Sequence, residues 1–292
     1  MHDERYATTR QLTTEKPACL DSCVDGFATL LKNPDSEQKI AEGGLRLNGF
    51  YKRSSDDKPL ITVITVVYNG VEYLEDTIRS VIEQDYDNVE YIIVDGGSKD
   101  GTLEVIRNYQ DAIDYWVSEP DSGIYNAMNK GIALTSGLWV NFMNSGDCFH
   151  QSDVISSISF ATLEDYSLIY GDKLQNGRIV RALPFNVIKL GVIHACHQSM
   201  FFKISTRTKN IINYKESFKI YSDYDLVARL FNLNLNFYYH CEPIAVFQGG
   251  GVSAEVSAQK RKDKYLSVFR NFGVAGLLLA ISNRIFSGFW ER

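Results

Sequence analysis

Three carboxylates and one amide stand where this chain could do chemistry: Asn69, Asp95 and Asp147 each follow a short apolar run, and Asp223 opens a helical pattern. A carboxylate can hold a hard divalent cation or accept a proton, and an amide can orient a ligand by hydrogen bonds. Asp147 closes the stretch Asp121 to Asp147 (DSGIYNAMNKGIALTSGLWVNFMNSGD), which reads as a loop, a helix and a buried strand ending on polar residues. Ile124, Met128 and Ile132 recur four apart, on one helical face, with Asn126, Asn129 and Lys130 turned elsewhere. Gly137 breaks the helix, Trp139 to Met143 has strand length, and Asn144, Ser145, Gly146 and Asp147 follow. One carboxylate after a strand is as readily a turn former or a helix cap. Three polar strand ends on one sheet edge read instead as a nucleotide cradle, because ligands bind at the carboxyl ends of open α/β sheets.

The elements that must position these groups begin at Pro59. Leu60 to Val67 is a nearly continuous β-branched run, as expected of a parallel strand buried on both faces, and it ends at Tyr68-Asn69-Gly70. Leu74, Ile78, Val81 and Ile82 share a helical face, and a second buried strand, Tyr91 to Val94, ends in Asp95-Gly96-Gly97-Ser98. Strand, helix and strand make a βαβ unit with a right-handed crossover. Another helix (Leu103, Ile106, Tyr109 inward) and a strand at Ile113 to Val117 precede the Asp121 stretch. Beyond Phe149 we expect a helix from Asp153 to Phe160, strands at Leu168 to Tyr170 and Ser199 to Phe202, and a turn at Asn176-Gly177. A helix follows that Ser222 can cap, burying Leu226, Val227 and Leu230. Strands at Leu235 to Tyr239 and Ile244 to Phe247 lead to Gln248 to Ser253, whose three glycines suit either a mobile loop or a tight turn.

The expected organisation is an N-terminal extension and linker (1–58), an α/β domain (59–253, its halves meeting near 150) and a C-terminal helical tail (254–292). Leu20, Val24, Phe27 and Leu31 predict a helix in the extension that packs without chemistry. A formal charge of −6 argues against a nucleic-acid binder, which would show a basic face. Five cysteines, with no zinc-like pair among them, read as reduced and mostly structural. The first twenty residues offer no signal-like apolar run, and no stretch reads as reaching the roughly 20 apolar residues of a bilayer span, so the expected location is cytoplasmic. The tail carries seven Lys/Arg against two acids from Gln259 onward, with Leu266, Phe269, Phe272, the run Val274 to Ile281, Phe286, Phe289 and Trp290. That mix predicts an interfacial amphipathic segment on an anionic membrane face; a helix packed on the body is the plainer alternative.

Thr65 to Gly70 (TVVYNG), Ile92 to Thr102 (IIVDGGSKDGT), Glu119 to Gly131 (EPDSGIYNAMNKG), Asn144 to Asp147 (NSGD) and Ser222 to Leu230 (SDYDLVARL) resemble, in that order, the GT-A glycosyltransferases of family 2. Each motif is weak alone, and the ordered set, covering Pro59 to Ser253, is specific. The resemblance implies a nucleotide-binding α/β half joined to an acceptor half, and transfer of a sugar from a nucleotide-diphospho-sugar, UDP favoured, to a glycan or lipid-linked hydroxyl with inversion, as in bacterial surface-polysaccharide biosynthesis at the inner face of the cell membrane. It implies that Thr65, Tyr68, Asn69, Asp95, Gly97 and Ser98 line base and ribose, and that Asp121, Lys130 and Asn144 lie at the nucleotide. It makes Asp147 the anchor of Mn²⁺ or Mg²⁺ and Asp223 the general base, with His197, Gln198 and Asp225 at the donor-sugar or acceptor pocket.

Those roles are chemically coherent. A leaving nucleoside diphosphate concentrates charge that a hard cation stabilises, and a sugar hydroxyl attacks once a carboxylate takes its proton. Two departures stand out: the family commonly has acids at the positions of Asn144 and Gly146, and a Glu where Ser222 stands. A non-catalytic nucleotide-sugar sensor and a sugar nucleotidyltransferase are the rival readings; the first strand lacks the basic, glycine-rich loop a triphosphate needs. It also lacks the GxGxxG of an NAD or FAD site.

Overall fold

The computed structural model describes residues 5–17, 30–249 and 258–290, with the side chains of the last helix described up to Arg284. Leu20, Val24 and Phe27 of the expected N-terminal helix, and residues 250–253 of the glycine loop, lie outside the described residues; Leu31 sits in a bend.

In chain order the elements are β1 (Ala41–Gly43), β2 (Ile61–Val67), α1 (Leu74–Ile82), β3 (Val89–Asp95), α2 (Thr102–Asn108), β4 (Tyr115–Ser118), α3 (Ile124–Leu134), β5 (Trp139–Phe142) and β6 (Cys148–Phe149). They continue with α4 (Val154–Ser157), β7 (Tyr166–Gln175), β8 (Arg178–Val180), β9 (Met200–Lys203), α5 (Ser222–Phe231), β10 (Asn236–Val246) and α6 (Ala258–Trp290). The strands form one sheet in the order β1-β4-β3-β2-β5-β9-β7-β10-β6, with β8 added to β7. β4, β3, β2 and β5 are parallel, so their carboxyl ends share an edge. β9 runs antiparallel to both β5 and β7, which returns β7, and β10 parallel to it, to the direction of β5.

Every residue of β2 and β3 is buried because helices cover both sheet faces. Alternate side chains go to opposite faces: Ile61, Val63 and Val67 meet Leu74, Ile78 and Val81 of α1, while Ile64 and Val66 share the other layer with Met128 and Ile132 of α3 and Leu226 and Leu230 of α5. Each such aliphatic side chain contributes about 1.5–3 kcal/mol by leaving water. An Ile64→Ala change would therefore loosen the strand that carries Asn69.

Four local expectations are corrected. The helix from Asp153 to Phe160 shrinks to one turn, because Ser156 and Ser157 turn their hydroxyls onto the carbonyls of Asp153 and Val154 and compete with helix propagation. The two strands after α5 are one strand, β10, whose register shifts between His240 and Pro243 put the proline at a bulge where no ladder N–H is needed. The strand at Leu168 to Tyr170 runs on to Gln175, and the Asn176-Gly177 turn joins it to β8 with both residues at positive φ. Ser222 is no cap: α5 starts after Tyr221, and the buried Ser222 hydroxyl accepts the Lys215 amide at 2.6 Å.

The described N-terminal residues are part of the body. β1 pairs with the outer edge of β4, and Arg46 reaches Glu90 at 2.5 Å in the interior. At the other end, α6 comprises two helical pieces meeting at Gly273 (φ 64°, ψ −160°), a conformation open to glycine and costly for other residues. The first piece packs on the body: its buried Asp263 accepts the Lys219 and Ile220 amides at 2.8 and 3.2 Å. In the second, Val274, Leu278, Leu279 and Ile281 are exposed. The expectation that no segment reaches spanning length is also corrected, since Ala258–Arg284 contains an 18-residue window of mean hydropathy 1.4 and is long and apolar enough, by those measures alone, to cross a membrane.

Candidate functional site

The strand order reverses at β2: β3 and β4 lie to one side, and β5 returns to the other. Such a switch point opens a crevice beyond the carboxyl ends. Around it gather the loop after β2 (Tyr68, Asn69), the loop after β3 (Asp95 to Lys99), the start of α3 and the turn after β5.

Asp95 is fully buried and builds its own loop: it accepts the Ser98 amide at 3.1 Å, the Ser98 hydroxyl, and the Ser118 hydroxyl at 2.5 Å. Ser98 Oγ in turn accepts the Asn69 amide at 2.7 Å, and Asn69 Oδ1 accepts the Lys99 amide at 2.9 Å. These bonds hold Asn69 at a left-handed φ of 50° and fix the two loops to each other. Tyr68, 65% exposed, forms with Gly96, Gly97, Lys99, Pro120, Asp121 and Gly123 a cleft of about 410 Å³. A Cβ at Gly96 would fall 2.6 Å from Asp121 Oδ2, so a larger residue there would displace the Asp121 carboxylate. Burial raises the Asp121 carboxyl above its ordinary range. A second cleft, about 450 Å³, shares Pro120 and Asp121 and adds Ser36, Gln38, Glu119, Ser122, Asn126 and Lys130. Lys130 pairs with Glu119 at 2.5 Å, so its charge is already balanced. Thr65 is no wall residue: fully buried, it donates to the Met143 carbonyl at 2.7 Å and meets the Tyr91 hydroxyl at 2.9 Å, and so holds the end of β5 against β2.

Across the crevice lies a polar chain. Asp147, 8% exposed, accepts Gln198 Nε2 at 2.5 Å on Oδ2 and the Gln248 amide at 3.2 Å on Oδ1, and burial pushes its carboxyl up to about 6. Asn144 Nδ2 meets His197 Nε2 at 2.9 Å, and His197 Nδ1 lies 4.0 Å from Asp223 Oδ2. With Nε2 accepting, the ring proton sits on Nδ1, facing Asp223; burial lowers His197 to about 4, so it is neutral at pH 7. Asp223 keeps 29% of its side chain exposed, and burial raises its carboxyl to about 6 while the Tyr224 amide, at 2.7 Å, opposes the rise. It is a carboxylate at neutral pH with the basicity of a general base.

Asp147, His197, Gln198, Asn144 and Asp223 are thus brought together, and Asp225 is not. Two residues along α5 from Asp223, it is rotated by about 200° and points to α6, where it accepts Ser267 Oγ at 3.0 Å, Asn271 Nδ2 at 2.9 Å and, from its own helix, Arg229 Nε at 2.9 Å. Asp225 is therefore withdrawn from the pocket and from the role of reserve base. Sequence reasoning also passed over Tyr125, whose hydroxyl accepts the Ser222 amide at 3.3 Å while donating at 2.5 Å to the Ile220 carbonyl, bracing the start of α5 from α3. The signal was an aromatic hydroxyl placed directly after Ile124, at a position the helical periodicity assigned to neither face.

A divalent cation suits this site only in part. Among the described residues no three His, Cys, Asp or Glu side chains converge. Asp147 is instead accompanied by buried oxygens with no partner, Asn144 Oδ1, Ser145 Oγ and Gln198 Oε1. One carboxylate with neutral oxygens is a hard, oxygen-only donor set, compatible with Mg²⁺ or Mn²⁺ but short of charge for tight binding without a ligand.

The sheet, its switch point and the flanking helices make a GT-A glycosyltransferase fold. The structure aligns with S. aureus TarS bound to UDP (TM-score 0.60, 17% identity, 78% of this chain and 72% of that one). It also aligns with a mannosyltransferase of Pyrobaculum calidifontis in complex with GDP-Man and Mn²⁺ (TM-score 0.54, 14% identity, 77% and 74%). Residues 62–182 match the model of glycosyl transferase family 2. An uncharacterized glycosyltransferase of Mycobacterium tuberculosis is 32% identical over 197 residues, spanning 64% of this chain and 72% of that protein. The chain belongs to glycosyl transferase family 2.

Proposed function

We propose that the protein transfers a sugar from a nucleotide-diphospho-sugar, a UDP-sugar in preference, to a hydroxyl of a glycan or lipid-linked acceptor with inversion, in the assembly of a bacterial surface polysaccharide. The observation that carries this reading is the line from part-exposed Asp223 on α5 through neutral His197 to Asn144, in the turn that ends on Asp147 and is closed by the Asp147 amide on the Asn144 carbonyl at 3.0 Å. Asp223 takes the proton of the acceptor hydroxyl as it attacks the anomeric carbon from the side opposite the leaving group. Tyr68 and Gly97 face the base and ribose, with Asp95, Asn69 and Ser98 setting their loop and Thr65 its support; Asp121 and Lys130 bound the nucleotide on the α3 side. Asp147, with the oxygens of Asn144, Ser145 and Gln198, would hold a divalent ion, which when bound stabilises charge on the departing diphosphate.

Calorimetric titration with UDP and GDP, each with Mn²⁺ and with chelator, on wild type and Asp147→Ala tests the donor class. We expect one nucleotide to bind more tightly with metal and that gain to vanish in the variant. Asp223→Asn should abolish transfer and leave nucleotide affinity within about twofold, as expected for a group acting only on the acceptor. Near-normal turnover of this variant would remove Asp223 as the base.

A further inference from the structure

The loss of acids at positions 144 and 146 leaves open what balances the charge of a donor diphosphate, and β7 supplies a candidate. Ile169 pairs with Phe201, which pairs with Asn141 of β5, and β7 and β5 run the same way. Lys173, four residues on, therefore stands about 13 Å further along, at the level of Ser145. Its ammonium lies 4.3 Å from the centroid of Phe247. The next residue, Gln248, donates its backbone amide to Asp147 Oδ1 at 3.2 Å, so Lys173 rests on the residue adjacent to the one that holds Asp147. The Lys173 charge also reaches the Asp147 carboxyl, opposing its rise.

Of the other cations near the site, Lys130 is paired with Glu119 at 2.5 Å and Arg229 with Asp225 at 2.9 Å, while Lys99 lines the Tyr68 cleft instead of the Asp147 corner. Lys173 has no ion pair among the described residues, and an aromatic face holds it without neutralising it. We propose that Lys173 binds the diphosphate of the nucleotide donor, supplying from the protein part of the positive charge that a single carboxylate recruits poorly as metal. This rests on the donor reading above and deepens it. The site divides the work: Asp147 and neutral oxygens would hold an ion weakly, and Lys173 acts whether or not the ion is present.

The test is calorimetry on the full-length protein, using UDP, GDP, UMP and GMP with Mn²⁺ and with chelator, for wild type, Lys173→Met and Lys173→Arg. Methionine keeps the contact with Phe247 and removes the charge. In chelator, Lys173→Met should weaken the preferred diphosphate at least about tenfold, as expected for a lost charge-assisted bond, and leave its monophosphate within about twofold; Lys173→Arg should restore most of the loss. An unchanged diphosphate affinity, an equal loss for the monophosphate, or wild-type diphosphate binding that disappears in chelator would each overturn the role of Lys173 while leaving the donor reading intact. If wild type binds neither diphosphate even with Mn²⁺, the donor reading itself fails, and the inference with it.

Discussion

Gln198 donates to Asp147 at 2.5 Å, and that bond joins the residues just before β9 to the acid that follows β5. Gln198 is buried, and its backbone carbonyl accepts Asn141 Nδ2 of β5 at 2.9 Å, so its position is set by the sheet. Removing the side chain frees one oxygen of Asp147 to rotate. Gln198→Ala should lower transfer about 10- to 100-fold, the range for a group that orients a metal ligand. Titration with Mn²⁺ in the presence of nucleotide should show a comparable loss of metal affinity. Full activity with unchanged metal dependence would reduce Gln198 to a packing residue.

The raised carboxyls set a pH dependence for rate. Asp223 must be ionised to accept a proton, and its carboxyl titrates near 6. The rate of transfer at saturating donor should fall tenfold per pH unit below about 6 and level off above it. His197, at about 4, does not titrate in this window. A limb that stays near 6 in Asp223→Asn, measured on residual activity, would assign it elsewhere.

The same shifts set a pH dependence for stability, of opposite value to the enzyme. Asp147 has a folded pKa near 6, above its unfolded value. Its contribution to stability is therefore fully present below about pH 4 and lost as pH rises through about 6. At pH 8, without divalent ion, the buried carboxylate is a burden of ~2–3 kcal/mol, from a shift of about two units. Asp147→Asn can still accept the Gln248 amide, and Gln198 can turn its unpartnered Oε1 toward the new amide. The variant should melt several degrees above wild type at pH 8, with the gap closing near pH 4. A wild type that is the more stable at pH 8 would contradict the burial of that charge.

What the sequence disclosed follows periodicity and order. The β-branched run Leu60 to Val67 could only be a strand buried on both faces, and the polar residues after β2, β3 and β5 meet because parallel strands end on one edge. Less was legible where a residue's partner lies far along the chain. Thr65 is in a site motif, yet its hydroxyl supports β5 from inside the sheet. Asp225 looked like a second acid of the pocket, and helix geometry turns it onto Ser267 and Asn271, more than forty residues away. Lys173 was hidden because the apolar signal of β7 stops at Tyr170, while hydrogen bonding to β8 and β10 carries the strand on to Gln175.

Asp225 therefore predicts a stability defect. Its carboxylate is 3% exposed and ties α5 to α6, and Arg229 would lose a partner with it. Asp225→Ala should cost about 2–3 kcal/mol in urea unfolding, the range for hydrogen bonds to a buried charge, while turnover per folded molecule stays within about twofold. A large loss of turnover at full stability would return Asp225 to the pocket.

Membrane attachment is the last prediction, and the structure decides where to cut. Removing everything after Lys264 would strip Ser267 and Asn271 from Asp225 and damage α5, so the exposed piece beyond Gly273 is the part to change. There Val274 and Leu278, 62% and 59% exposed, are one turn apart on a face with no partner among the described residues. Lys260, Arg261, Lys262, Lys264, Arg270 and Arg284 place positive charge along the same helix, each contributing about 1 kcal/mol where it reaches an anionic lipid surface. Wild type should sediment with vesicles containing phosphatidylserine, and less so as salt is raised. Val274→Ser with Leu278→Ser should reduce that binding at least about tenfold, because burial of two aliphatic side chains is lost, and leave nucleotide affinity unchanged. Equal sedimentation of wild type and variant would mean that this face does not enter the lipid. Absence of sedimentation, with a variant that self-associates less than wild type, would make the apolar face a contact between copies of the chain.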